Sequence, residues 1–178
     1  KRISRGLKEM GHKVFLLHGV TGSGKTEVYL QCIAQVIKQG RAAITLVPEI
    51  TLTPQMIKYF KERFGSRVAL LHSRMSRGER YDEWERISSG EADIVLGTRS
   101  AIFAPVTKPG LFILDEEHEF TYKQEENPRY HARAVALYRA YINKAVVLLG
   151  SATPSLESYC RVAKNGPYEL INMKNRVE

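Results

Sequence analysis

Short apolar runs alternate with amphipathic stretches along most of this chain. Val14 to His18 is the first run, of strand character. Behind it Val28, Tyr29, Cys32, Ile33, Val36 and Ile37 recur in pairs four apart, the stripe of a helix buried on one face. The same alternation predicts strands at Ala42 to Val47, Val68 to Leu71, Ile94 to Leu96, Leu111 to Leu114 and Ala145 to Leu149, with a short last one at Tyr168 to Ile171. A helix opens at Thr53-Pro54, with Thr as cap and Pro in the first turn, and carries Met56, Ile57, Phe60 and Phe64 on one face. Ser76-x-x-Glu79 reads as a capping box opening another, with Tyr81, Trp84 and Ile87 as its core side. Two more run from about Ala132 to Tyr141 and from Ser155 to Ala163. This order predicts an α/β fold, a mostly parallel central sheet with helices on both faces. His118 to His131 is the one long segment without clear periodicity, which marks it as a candidate functional loop.

With 178 residues, 43% of them hydrophobic, the chain can bury one good core, so one domain is expected. No run approaches a membrane span, and no signal-peptide apolar region follows the basic first residues; a cytoplasmic protein without membrane contact is expected. Cys32 and Cys160, far apart on helical apolar faces, read as small core residues rather than a bridge or a metal site. The formal net charge of +8 invites a polyanionic partner. Half of it lies in residues 1–13, where five cations face only Glu9. That basic segment is set apart from the domain proper at 14–178 and reads as a solvated arm or a trimmed edge.

Chemistry enters directly after the first strand. Gly19, Val20, Thr21, Gly22, Ser23, Gly24, Lys25 and Thr26 match the whole phosphate-loop pattern G-x-x-x-x-G-K-[ST], in the strand–loop–helix setting it requires. Glycines let the backbone close round a polyphosphate, with N–H groups and a helix N-terminus aimed at the charge. Lys25 would reach the β- and γ-phosphates, and the Thr26 hydroxyl would sit on Mg²⁺. Such a loop needs a partner carboxylate at a neighbouring strand end. Leu111 to Leu114 run into Asp115-Glu116-Glu117-His118, which makes Asp115 the expected metal residue and Glu116 the expected general base.

Asp115 to His118 resemble motif II of superfamily 2 helicases, in a variant with a second Glu, and Gly150-Ser151-Ala152-Thr153-Pro154 resembles their motif III. Leu46 to Gln55 is similar to motif Ia and Gly97-Thr98-Arg99-Ser100-Ala101 to motif Ib. With Tyr122-Lys123-Gln124-Glu125 and Arg129-Tyr130-His131-Ala132-Arg133, these strings resemble the primosomal protein N′ family of replication-restart DNA helicases, over about Phe15 to the C-terminus. The resemblance implies the first of two RecA-like motor domains of a 3′→5′ DNA translocase in the bacterial nucleoid. ATP is assigned on family grounds alone. The implied partners are single-stranded and forked DNA, the primosome and single-strand-binding proteins. The family's zinc-binding cysteines, its other DNA-binding domains and the second motor domain with its arginine finger have no counterpart in this sequence. The resemblance also implies that His118 relays between nucleotide and DNA, with Glu117, Ser151 and Thr153 in coupling roles.

After motif II, aromatics interleave with cations: Phe120, Tyr122, Lys123, Arg129, Tyr130 and Arg133. That composition suits stacking on bases and contacting phosphates of a single strand, and Thr98 and Arg99 are candidates for clamping a backbone phosphate. The alternatives are a tucked loop whose aromatics pack on the core, and an ordinary strand-end turn at Thr98. Rival functions are an RNA helicase or duplex translocase, and a nucleotide-switched binding module without motor activity.

Overall fold

The computed structural model describes residues 1–9, 11–162 and 166–176. In chain order the elements are α1 (Arg2–Lys8), β1 (Lys13–Gly19), α2 (Lys25–Lys38), β2 (Ala42–Leu46), α3 (Pro54–Phe64), β3 (Val68–Leu71), α4 (Arg77–Ser88) and β4 (Ile94–Gly97). After them come β5 (Pro109–Leu114), β6 (Lys123–Gln124), β7 (Tyr130–His131), α5 (Ala132–Ile142), β8 (Val146–Ser151), α6 (Leu156–Cys160) and β9 (Tyr168–Met173). Seven strands form one sheet in the order β3-β4-β2-β5-β8-β1-β9, and every neighbouring pair is parallel. Parallel neighbours need long crossovers, so helices cover both faces. Strand pleating divides the apolar residues between two cores. Phe15 and Leu17 point at α1, α2 and α3, where they meet Tyr29, Ile33 and Phe60; Val14 and Leu16 share the opposite core with Phe112, Ala136 and Ala140.

The predicted caps are made. Thr53 Oγ1 accepts the Met56 N–H at 3.2 Å, and Ser76 and Glu79 exchange side-chain-to-backbone bonds in a full capping box. Three expectations change. The basic N-terminal segment is no solvated arm: α1 buries Ile3 and Leu7 in the core shared with α2, and Arg2 pairs with Glu169 of β9. Tyr81 and Trp84 are not core, being 62% and 40% exposed. Helix α4 lies against β3, the sheet's edge strand, and only Ile87 reaches the interior. Cys160 is exposed while Cys32 is buried, because α6 is a five-residue helix whose inward position is Ser158. The last helix was expected to reach Ala163, which lies outside the described residues. Among the described residues no helix is long and apolar enough to cross a membrane.

Candidate nucleotide site and strand groove

Sheet order puts β5, β8 and β1 side by side, and at their C-terminal ends stand Asp115, Ser151 and the glycine loop. Ligands of parallel sheets collect at such ends. Gly22 and Gly24 take φ of 79° and 86°, left-handed values that side chains resist. The Ser23 hydroxyl is buried without a partner, and a Cβ on Gly19 would stand 2.5 Å from it, so the loop closes tightly. Lys25, only 8% exposed, donates from Nζ to the Gly19 carbonyl at 2.8 Å and lies 3.8 Å from Glu116 Oε1. Thr26 sits half-buried in the first turn of α2.

Asp115 is held from several sides. Its N–H donates to the Leu46 carbonyl at 2.9 Å. Its Oδ1 accepts from Tyr29 Oη at 2.8 Å, and its carbonyl accepts from Tyr122 Oη at 2.7 Å. Burial raises its carboxyl above the usual range against the Tyr29 hydrogen bond, and the neighbouring Glu116 adds to the rise. Both tyrosines are pushed well up, first by burial and then by the Asp115 charge. Tyr29 was expected only to pack; its hydroxyl also orients the metal candidate. A Cβ on Gly150 would collide with that hydroxyl, which gives a local reason for glycine before Ser151.

Glu116 has a φ of 43°, a region costly for a side-chain-bearing residue. The cause is visible on either side of it. Asp115 is tied to the end of β2, while the Glu117 N–H donates to the Gly150 carbonyl at 3.0 Å, so Glu116 must make the turn between two fixed neighbours. Its Oε2 lies 3.4 Å from the Ala152 N–H and 3.7 Å from His118 Nδ1. His118 Nδ1 is 2.8 Å from Ser151 Oγ, and its Nε2 is 3.4 Å from Thr153 Oγ1. Of the residues expected to relay, Ser151 and Thr153 thus both meet His118, which itself lies beside the candidate base.

Glu117 turns the other way, into the protein. Its side chain is fully buried and accepts from Arg133 Nη1 at 2.7 Å, the Ser155 N–H at 2.7 Å, Ser155 Oγ at 3.1 Å and Ser158 Oγ at 2.8 Å. Burial alone would raise its carboxyl, but the hydrogen bonds from Ser155, Ser158 and Arg133 bring it below the usual carboxylate range. This corrects the expectation for Arg133. It is not a DNA contact but the partner of a buried carboxylate, tying α5 to motif II and to the start of α6. Tyr122 is likewise corrected, since at 1% exposure it has no face to offer a strand. Sequence pattern gave no sign of the Arg133–Glu117 pairing, because its members come from separate elements.

Of the other strand candidates, Thr98, Arg99 and Lys123 line a groove of about 840 Å³ together with Pro48, Glu49 and Phe120 among others, away from the glycine loop. Thr98 is buried, and its N–H donates to the Leu71 carbonyl. Arg99 Nη1 donates to the carbonyls of Thr121 at 3.1 Å and Lys123 at 2.7 Å, so it pins the loop after motif II. Tyr130 packs edge-on against Phe103 with ring centroids 4.9 Å apart, which makes it half tucked. Residues 123–131 form a small antiparallel hairpin of β6 and β7. Phe120, 81% exposed, with Lys123 and Arg129, also exposed, are what this loop presents to solvent.

Comparison with known proteins agrees with this geometry. The DEAD/DEAH box helicase family model matches residues 3–162. The replication restart protein PriA of Bacillus subtilis (strain 168) is 62% identical over 166 residues, 93% of this chain and 20% of that one. PriA of Synechocystis sp. is 53% identical over 156 residues, 87% of this chain and 19% of that one. The chain thus spans about a fifth of the length of these curated relatives. Among solved structures, RecG bound to a three-way DNA junction superimposes with a TM-score of 0.66 at 26% identity, over 100% of this chain and 24% of that one. This chain belongs to the DEAD/DEAH box helicase family, and its RecA-like domain is similar to that of the replication restart proteins.

Proposed function

We propose that this domain binds Mg-ATP and drives 3′→5′ translocation on single-stranded DNA, in a protein that reloads the replication machinery at stalled forks. The observation that carries the reading is the convergence of Lys25, Asp115, Glu116, His118 and Ser151 at three adjacent strand ends. The donor set fits magnesium. Among the described residues no three His, Cys, Asp or Glu side chains cluster as a cage, and Asp115, hydrogen-bonded to Tyr29 of the helix whose first turn carries Thr26, offers one carboxylate, the way sites completed by phosphate oxygens and water are built. Asp115 and Thr26 would hold the ion, which when bound neutralises charge on the phosphates. The N–H groups of Gly22 to Lys25 would cradle those phosphates, and Lys25 Nζ would exchange the Gly19 carbonyl for them.

Glu116 would take the proton of the attacking water. Its left-handed backbone aims the carboxylate at the space beside Lys25 rather than along the strand. Glu117 is excluded from that role by its four buried hydrogen bonds. His118 meets both Glu116 and Ser151 at Nδ1 and Thr153 at Nε2, so loss of a phosphate beside Glu116 would register in motif III. DNA as partner is supported by the RecG complex, by the exposed Phe120 and Lys123 that line the groove, and by the exposed Arg129 of the adjoining hairpin. Primosome and single-strand-binding proteins are the partners this reading predicts for the whole protein.

Two substitutions test it. Lys25→Ala should weaken ATP binding by about tenfold or more, on the order of 1.4 kcal/mol by calorimetry. Glu116→Gln should keep that affinity and, in a protein with both motor domains, slow turnover by about a hundredfold. Unchanged affinity in the first, or unchanged turnover in the second, removes the loop or the base from the site.

A further inference from the structure

Helix α4 buries only Ile87 and leaves the chain's single tryptophan partly in water. Burying a large apolar side chain is worth roughly 1.5–3 kcal/mol, so packing alone does not account for an exposed Trp84 next to an exposed Tyr81. The spacing Arg77, Arg80, Tyr81, Trp84 puts all four on one face of the helix. With Met75 they line a shallow depression of about 480 Å³. Of the four acids of this helix, Asp82 lies off this face, lining a separate depression with Arg86 and Glu91, and the other three are each hydrogen-bonded or paired. Glu79 accepts the Ser76 N–H at 2.8 Å, Glu83 pairs with Arg86 at 2.8 Å, and Glu85 accepts from Tyr81 Oη at 2.9 Å. Among the described residues, Arg74, Arg77 and Arg80 form no ion pair with a carboxylate, whereas Arg67 and Arg86, at the other end of α4, do. The free charge here is therefore cationic and adjoins two aromatic rings.

The patch also continues from the groove. Ser73 lines both the 840 Å³ groove and a smaller cavity of about 180 Å³ that runs past His72 and Arg74, and Met75 then opens the depression on α4. Inside the groove cations are scarcer: Lys123 is paired with Glu125, Arg99 is spent on backbone carbonyls, and Glu49 and Glu119 add negative charge.

We infer that the outer face of α4 is a second single-strand contact, where a strand leaving the groove sets its phosphates on Arg74, Arg77 and Arg80 and stacks a base on Trp84 or Tyr81. This rests on the reading of the groove as a single-strand path. Cations track a phosphate backbone and aromatic faces take any base, the combination used for sequence-independent binding. An acidic protein segment would satisfy the arginines, but only a nucleic-acid strand brings a flat ring with every phosphate.

Trp84 emission reports on this face alone, because the chain has no other tryptophan. An oligothymidylate of about twenty nucleotides, labelled for anisotropy, is titrated onto the 178-residue chain at about 50 mM and about 200 mM salt while Trp84 emission is followed. Quenching is expected to saturate with the same midpoint as the anisotropy. Arg77→Gln with Arg80→Gln, both on the surface, should weaken binding about tenfold at low salt and lower the logarithmic salt slope by about 1.4, at about 0.7 per single-strand phosphate. Lys123→Ala with Arg129→Ala should weaken binding but leave the quench at saturation intact. If the oligonucleotide binds while Trp84 emission and the arginine pair are indifferent, the α4 contact is overturned and the groove reading stands. No binding at either salt overturns both. Heparin quenching Trp84 as fully as the oligonucleotide overturns base stacking, because heparin carries charge without bases.

Discussion

Replacing Arg133 by alanine tests the largest change the structure makes to the expected site. In the native chain Arg133 Nη1 donates to Glu117 Oε2 at 2.7 Å, with the carboxylate side chain at 0% exposure and the arginine at 18%. Removing one member of a buried pair leaves the other charge uncompensated and costs about 3–5 kcal/mol. Three hydrogen bonds from Ser155 and Ser158 remain on Glu117, so the low end, about 3 kcal/mol, is the expected loss. For a chain of this length each kcal/mol moves the thermal midpoint by roughly 2–4 °C, giving a drop of about 6–12 °C in calorimetry at neutral pH. The pH dependence follows from the lowered carboxyl of Glu117. A group whose folded pKa is depressed adds stability that is present above its unfolded value and is lost as pH falls through the folded one. The gap between native and Arg133→Ala chains should therefore be full near neutral pH and shrink as acid protonates Glu117, vanishing once the pH falls through the lowered native value, because a protonated Glu117 no longer needs the cation. A loss under about 1 kcal/mol at pH 7, or a gap unchanged in acid, would refute the clamp and return Arg133 to the surface role its sequence context suggests.

Tyr29→Phe keeps the buried ring and removes the hydroxyl on Asp115; by chemical denaturation it should cost about 1.5–3 kcal/mol, as for a hydrogen bond to a charged group, and a neutral result would mean the hydroxyl does not orient that carboxylate. Cys160 should react with an aromatic disulfide reagent in the native chain, whereas Cys32, buried with its thiol pushed up to about 12, should react only after denaturation; one-to-one labelling of both without denaturant would contradict the packing of α2. The 178-residue chain should bind ATP but hydrolyse it feebly, because among the described residues no arginine pairs within the Lys25–Asp115–Glu116 cluster and an arginine finger is worth roughly 10³–10⁵ in rate. Phosphate release at several turnovers per second would require a finger within the chain or from self-association.

Unlike α1 and the β6–β7 hairpin, the seven strands of the sheet, helices α2 to α6, the glycine loop and the Asp115-Glu116 strand end were legible in the sequence. Each is set by neighbours a few residues away: a 3.6-residue stripe, a capping serine, a glycine that permits a left-handed turn. Short-range pattern stops where partners are brought together across the chain. Tyr29 and Asp115 are 86 positions apart and Glu117 and Ser158 are 41, so their hydrogen bonds exist only once α2, β5 and α6 are packed on one sheet. The loop after motif II shows the same division. Its composition names aromatics and cations, but backbone geometry alone decides that Tyr122 and Arg133 turn inward while Phe120, Lys123 and Arg129 face water. Trp84 has the spacing of a core residue on α4. It is exposed because β3, on which α4 rests, is the edge of the sheet, and strand order is fixed by how the whole core closes rather than by any local run of residues.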